Sequence, residues 1–574
     1  MNDIRRTILW VIFGFSMVLL WDQWQVYNGR QPTFIPAPPK ASTAAIAPAA
    51  GASGVPAAVQ NATAALPTPV SQQAAVVPVA APVPSHVRER VVVSTDVLKL
   101  TFDTEGGSLV RTEFLRHKDM ADKTKNFVLL DDTQNQVYLA QTGLIGIGGA
   151  TYPTHKTAMV ASGANDLKDG ENDLSVVFTS PDLGGVKLVK TYTFKRGSYA
   201  ASVKHAVTNT GTSAVAPQLY LQLVRDGNKP AGESAFYSTF TGPAVYTETK
   251  KYQKVEFTDI KKKNAEFEKQ STNGYVAMVQ HYFASAWVLP DGIRRDISLD
   301  AADIGSTVTD CCYRATMIAP LDAIPPGATK TIEAQLFTGP QEEKALEALA
   351  PGLELVKDYG WLTILAKPLY WLLDHLHGMI QNWGWAIVGL VVLLKIAFYW
   401  LNAKAYGSMA KMKAINPKVM EMRERLKDNP QQMQQEMMRI YREEKVNPMG
   451  GCFPIMVQIP VFIALYWVLL SSVEMRNAPW ILWIRDLSSP DPYYILPIVM
   501  TLTTLLQTAL NPTPPDPMQA KLMWYMPLIF SVMFFFFPAG LVLYWITNNI
   551  LSIAQQWLIN TRMGVPPQFN LPKF

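Results

Sequence analysis

The chain has 574 residues, enough for several average domains, yet its 49% hydrophobic content averages two unlike halves. A net charge of +5 is too small for this length to argue for a nucleic-acid surface. The basic residues instead gather beside apolar runs, as the positive-inside rule expects of a membrane protein. Three cysteines imply no disulfide framework, because Cys311 and Cys312 are neighbours and Cys452 lies in an apolar run.

Residues 1–24 place Arg5 and Arg6 before TILWVIFGFSMVLLW. Where a cleavable signal wants small residues, the chain has Trp21, Asp22, Gln23 and Trp24, whose indoles suit a membrane interface. This predicts an uncleaved anchor with a cytoplasmic N-terminus. Residues 25–86 follow as a tether rich in Ala and Pro, and between positions 31 and 85 Lys40 is the only charge. From 87 to 340 short alternating segments such as VLKLTFD and VKLVKTYTFK predict one large all-β domain, carried out of the cytoplasm by the anchor. His205 and His281 sit in no zinc, nucleophile or phosphate-loop motif and read as structural. Residues 341–381 turn helical, with Leu365, Leu369, Leu372, Leu376 and Met379 at helix spacing, and predict amphipathic interfacial helices. His375 and His377 would face different ways on a helix and make a poor metal site.

The run from Trp383 to Leu401 spans ~28 Å as a helix, close to the thickness of a hydrocarbon core. Lys395 interrupts it, and a mid-span lysine usually faces a bundle interior or a wet cavity. Tyr399, Asn402 and Tyr406 continue a polar stripe at i+4, i+7 and i+11. Residues 403–446 hold ten basic residues against six acidic ones, which makes the segment cytoplasmic. Met409, Met412 and Met422 fall on one helical stripe and Met433 and Met437 on another, with a break at KDNP. The pattern predicts a helical hairpin whose methionines either capture variable apolar partners or pack its two arms together. Further spans are expected at 449–473, 491–510, 522–537 and 540–560, the last two divided at Pro538-Ala539-Gly540. With the anchor these make six crossings and leave 563–574 as a cytoplasmic tail. Gln458 brings an amide into the second of the core spans, and Tyr544, Asn548 and Gln555 form a polar stripe on the last.

NPMGGCFP at 447–454, SMAKMKAINPKVMEMRERL, GYVAMVQHYF at 274–283, DPYYILPI and FPAGLVLYWITNN together resemble the YidC membrane protein insertases of Gram-negative bacteria, essentially end to end. The resemblance implies an α-helical multi-pass inner-membrane protein, with a five-helix insertase core over 382–562 and a periplasmic all-β supersandwich. That β domain is itself similar to galactose-mutarotase folds, which licenses no sugar chemistry. It implies a hydrophilic substrate groove built here from Lys395, Tyr399, Asn402, Gln458, Phe462, Tyr544, Trp545 and Asn548. Lys395 stands where the family has an arginine, keeping the charge without the five-donor fork, and Tyr544-Trp545 stands for a tyrosine pair. The implied partners are nascent membrane proteins, the Sec translocon (SecYEG and SecDF), the ribosome and signal recognition particle pathway, and the phospholipid bilayer. No cofactor, metal, catalytic residue or specific nucleic-acid sequence is implied. A secondary transporter is the rival reading, but no span has an interior Asp or Glu. A membrane-tethered periplasmic sugar-active enzyme is another, and it would keep its activity in residues 87–339 alone.

Overall fold

The structure, a computed structural model, describes residues 89–562 apart from 121, 147–149, 231–238, 302–305, 427–428, 445–452 and 512–516, together with 564 and 569. The expected anchor, tether, nearly all of the tail and the Asn447–Cys452 string lie outside the described residues. Two compact units divide between Val356 and Lys357.

The first unit is two antiparallel sheets of ten and nine strands. In the ten-stranded sheet, Leu98–Asp103, Ser108–Lys118, Val137–Ile145, Gln218–Arg225, Tyr313–Pro320 and Arg295–Ala301 lie side by side in that order. The nine-stranded sheet runs through Gly242–Thr247, Tyr275–Gln280, Phe283–Val288, Thr329–Pro340, Ala200–Asn209, Val186–Lys195 and Asp173–Thr179. Val186–Lys195 alternates buried and more open positions, so one face meets the core. Gln218–Arg225 is buried at every position. Large buried side chains tie the sheets together through their polar ends. Tyr138 donates to the Met278 carbonyl at 3.1 Å and Trp287 Nε1 to the Gln222 carbonyl at 3.2 Å. Lys190 Nζ crosses to the carbonyls of Gly106 and Thr142 at 2.6 and 2.7 Å. His205 is fully buried beside Thr142 Oγ1, and His281 is buried against the Tyr282 ring, as befits structural histidines. In the loop before Tyr313 the sulfurs of Cys311 and Cys312 touch.

Burial makes this unit sensitive to acid. It holds both His155 and His205 at about 3, against an ordinary 6.5, and Lys190 at about 7. Each histidine therefore stays neutral in the fold and takes a proton only on unfolding, so stability present above pH 6.5 is lost as pH falls toward 3. Lys190 acts in the same direction between its unfolded value and about 7. From pH 7.5 to 5.5 the two histidines together should remove ~2.5 kcal/mol. Amide exchange along Ala200–Asn209 in the full chain, corrected for intrinsic rates, should speed up by ~50-fold or more over that range. A flat profile would mean that the imidazoles are hydrated.

This unit also has a short helix, α1 (Phe257–Lys261), and a second, α2 (Glu343–Leu349). The expected domain end at 340 is corrected to Val356. Leu346, Ala350, Leu353 and Val356 are buried against Tyr246, Tyr275, Ala277 and Phe337, and Tyr275 donates to the Gly352 carbonyl. Residues 341–356 thus finish the β core.

The second unit is helical: α3 (Thr363–Ile380), α4 (Trp383–Ala397), α5 (Tyr399–Arg425), α6 (Pro430–Glu443), α7 (Phe453–Ser471), α8 (Ile495–Leu510), α9 (Pro517–Met533) and α10 (Ala539–Arg562). Its core joins Ala366 and Leu373 of α3, Ile387 and Val391 of α4, Leu465 and Val468 of α7, Met500 of α8, and Leu541 to Tyr544 of α10. Asn382 caps α4 by accepting from the Trp385 amide, and its own amide donates to the carbonyls of Pro479 and Trp480. The Trp480 ring lies directly over Gly384, where a Cβ would collide with it. Among the described residues no single helix is long and apolar enough to cross a membrane. The pair α4 and α5, bent by 68°, passes that test together, and Gln458–Ser471, Ile495–Leu510 and Ala520–Phe536 are shorter apolar stretches. Ile396, Leu502, Ile529, Val532 and Ile550 nevertheless project outward, half exposed or more. Apolar surface of that extent marks a membrane or partner interface.

The spans differ from expectation in detail. The one expected over 383–401 stops at Ala397, Asp491 to Tyr494 form a turn before α8, and the 522–537 segment begins earlier, at Pro517, and ends in a 3-10 turn at Phe534–Phe536. Asp491 explains the second shift, since its carboxylate accepts from Trp483 Nε1 and the amides of Tyr493 and Leu496 and so caps the helix late.

Candidate functional site

Within the helical unit, Lys395, Asn402, Gln458, Tyr544 and Asn548 line one cleft with Val391, Leu394, Phe398, Leu401 and Val461. The cleft encloses about 440 Å³ including its open mouth. Four helices build it: the end of α4, the start of α5, the middle of α7 and the central turns of α10.

Polar side chains in a largely apolar cleft must find partners, and here they find each other. Lys395 is 7% exposed and its Nζ donates to Ser552 Oγ at 2.7 Å. Ser552 in turn donates to the Asn548 carbonyl one turn earlier, at 2.7 Å. Gln458 Nε2 donates to Asn548 Oδ1 at 2.9 Å, joining α7 to α10. Asn402 Nδ2 donates to Gln555 Oε1 at 3.2 Å, joining α5 to α10. Phe462 stands behind this network, stacked near Tyr544 with ring centres 5.9 Å apart and edge-on to Trp545 at 4.6 Å. No carboxylate lines the cleft, so the ammonium of Lys395 meets only neutral acceptors there.

Besides Phe462, which backs the cleft without lining it, two expected groove residues lie elsewhere. Tyr399 is 37% exposed and does not line the cleft, because the helix breaks at Phe398 and the polar stripe drawn for a straight helix does not survive the bend. Trp545 packs between Phe462 and Phe534, in the wall rather than the lining. Ser552 and Gln555 supply direct partners to the lysine segment. Gln555 was visible as an amide on the polar stripe of α10, whereas a lone serine in a span carries no sequence signal.

The hairpin methionines divide between buried and more open positions. Met422 is 3% exposed and lies at helix spacing from buried Val419 and Ile415, while Met409, Met412, Met433 and Met437 are half-buried. The exposed methionines are Met420 and Met438. An i, i+3, i+4, i+7 stripe on two antiparallel arms is consumed when the arms pack together. Lys418 and Glu444 add an ion pair between the arms. Among the described residues no group of three or more His, Cys, Asp or Glu side chains could hold a metal ion.

The sequence profile of the YidC periplasmic domain matches residues 90–372, and that of the 60Kd inner membrane protein family matches 375–565. The chain is 55% identical to a membrane protein insertase YidC of Cupriavidus metallidurans, with 98% of each chain covered. It belongs to the YidC membrane protein insertase family. A Cupriavidus necator YidC is 53% identical, again over 98% of each chain. A crystal structure described as active YidC insertase with the first transmembrane domain resolved is 18% identical, with TM-score 0.37, covering 82% of this chain and 92% of that one. As a YidC family member the protein is an inner-membrane protein with a periplasmic all-β domain and a helical membrane region.

Proposed function

We propose that this chain receives hydrophobic segments of nascent inner-membrane proteins at the Lys395 cleft and releases them into the bilayer, acting alone or with SecYEG and SecDF. The insertase name of its relatives supports the activity. The observation that carries the assignment to this site is a buried lysine whose partner is a hydroxyl, with no carboxylate beside it. Such a charge lowers the cost of bringing an acidic or hydrated flank into a thin, low-dielectric region.

The working cycle needs no covalent step. A ribosome-bound segment, delivered by the signal recognition particle pathway, meets the cytoplasmic hairpin through its charges and the exposed Met420 and Met438. Its polar flank enters the cleft toward Lys395, where Gln458 and Asn548 exchange their mutual hydrogen bond for bonds to the arriving backbone. The apolar helix then leaves beside α7, drawn by burial of its own surface in lipid at roughly 25 cal/mol per Å². In this arrangement six crossings put both termini in the cytoplasm and residues 25–382 in the periplasm.

Photo-crosslinkers at Gln458 and Phe462, in the full chain, should capture a stalled nascent membrane protein. Adducts to lipid and neighbouring helices alone would end the proposal.

A further inference from the structure

Between α4 and α5 the axis turns by 68°. Sharp bends have identifiable causes: a proline, a glycine or serine pair, a π-bulge, or a polar group inserted into the backbone ladder. The sequence through the turn, Lys395 to Asn402 (KIAFYWLN), has no proline, glycine or serine. Pro417 lies nearly twenty residues farther along α5, about five turns away. Regular bonding holds on either side of the break, where the Phe398 amide donates to the Leu394 carbonyl and the Asn402 amide to the Phe398 carbonyl. In the gap stands the carbonyl of Lys395. Its partner comes from another helix: Gln555 Nε2 of α10 donates to it at 3.1 Å. The oxygen of the same amide accepts from Asn402 Nδ2 at 3.2 Å, on the far side of the bend.

We propose that Gln555 is a positioning residue that inserts into the α4–α5 ladder, holds the bend, and thereby sets the angle at which the cytoplasmic hairpin leaves the core. One half-buried amide grips both sides of the break, its donor on the Lys395 carbonyl near the end of α4 and its acceptor on Asn402 in the first turn of α5. The amide dipole is used at both ends, so no isosteric apolar residue replaces it. The hairpin's first arm is a rigid lever rooted at this point. From Phe398 to Met420 it measures ~33 Å, so relaxing the bend by 20° would move Met420 by ~11 Å. The role rests on the insertase reading only for its benefit to capture; the hinge itself is a property of the free protein.

The test is a distance measurement without any client. Spin labels are placed at Met420 and Ile550 in the full chain, with the three native cysteines replaced, in lipid nanodiscs. A control pair at Val392 and Ile550 reports α4 against α10. With Gln555→Leu the Met420 distance should shift or broaden by ~10 Å, as the lever length implies, while the control pair stays put. Gln555→Glu keeps an acceptor for Asn402 but turns a carboxylate oxygen on the Lys395 carbonyl. It should relax the arm likewise, and it decides the matter if the leucine variant does not fold. Ser552→Ala, one turn away on the same helix, should leave both distances as in the parent. An unchanged Met420 distance in the folded Gln555 variants would overturn the proposal, as would equal movement of the control pair, which would mean general loosening. Client crosslinking from Gln458, measured separately, tests the insertase reading without affecting this outcome.

Discussion

Lys395→Glu should reduce insertion of clients with acidic translocated tails by ~tenfold or more, whereas Lys395→Arg should stay within ~twofold of the parent, since a difference of 1.4 kcal/mol already amounts to tenfold and charges 4 Å apart at an effective dielectric near 20 interact by ~4 kcal/mol. Arginine retains the attraction and glutamate reverses it. Lys395→Ala separates function from folding. Ser552 keeps its bond to the Asn548 carbonyl, so the alanine variant strands no donor and removes a desolvated charge. Its thermal stability should equal or exceed the parent's while insertion of acidic-tailed clients falls. Parallel assays with acidic, neutral and basic tails check this. Equal loss for every tail, together with a lowered melting temperature, would return Lys395 to a purely structural role.

Glu474→Ala should be among the most destabilising single changes in the helical unit. The Lys357 side chain is wholly buried, and its Nζ donates to both oxygens of Glu474 at 3.1 and 3.2 Å while lying 3.8 Å from the centre of the Tyr370 ring. Tyr370 adds its hydroxyl to Glu474 Oε1 at 2.6 Å. Removing the carboxylate leaves a buried ammonium facing the Tyr370 ring without its counter-charge, which costs roughly 3–5 kcal/mol. For a unit of this size that corresponds to a fall of ~10 °C in melting temperature. Lys357→Met should cost less, because Glu474 retains Tyr370 and is 17% exposed. Lys357→Met combined with Glu474→Gln should recover most of the loss. A double variant as unstable as Glu474→Ala would show that packing, rather than charge pairing, holds this corner.

The sequence told most about elements whose pattern is local. Alternation in Val186–Lys195 announced a half-buried strand, and charge counts on either side of apolar runs announced the helical region. Lys395, Gln458 and Asn548 were legible as groove residues because a polar group within hydrocarbon length demands an explanation. Features set by distant partners were not legible. The end of the β unit depends on Leu346 and Leu353 reaching strands some seventy residues earlier, so a helix-like texture after 340 misplaced it. Tyr399 was assigned to the groove on the assumption of a straight helix, and the bend at Phe398 originates in α10 rather than in its own neighbourhood. The methionine stripes signalled an apolar face, but a stripe looks the same whether it meets a guest or the opposing arm.

The wall of the cleft has a direction in time. Tyr544, Asn548, Ser552 and Gln555 all belong to α10, within the last thirty-one residues of the 574. The partner of the lysine and the brace of the hairpin emerge from the ribosome after every other described helix has been made. A growing chain therefore possesses Lys395 for more than a quarter of its length before it possesses a site. The chain cannot use its own cleft to place that last helix, because the helix is part of the cleft.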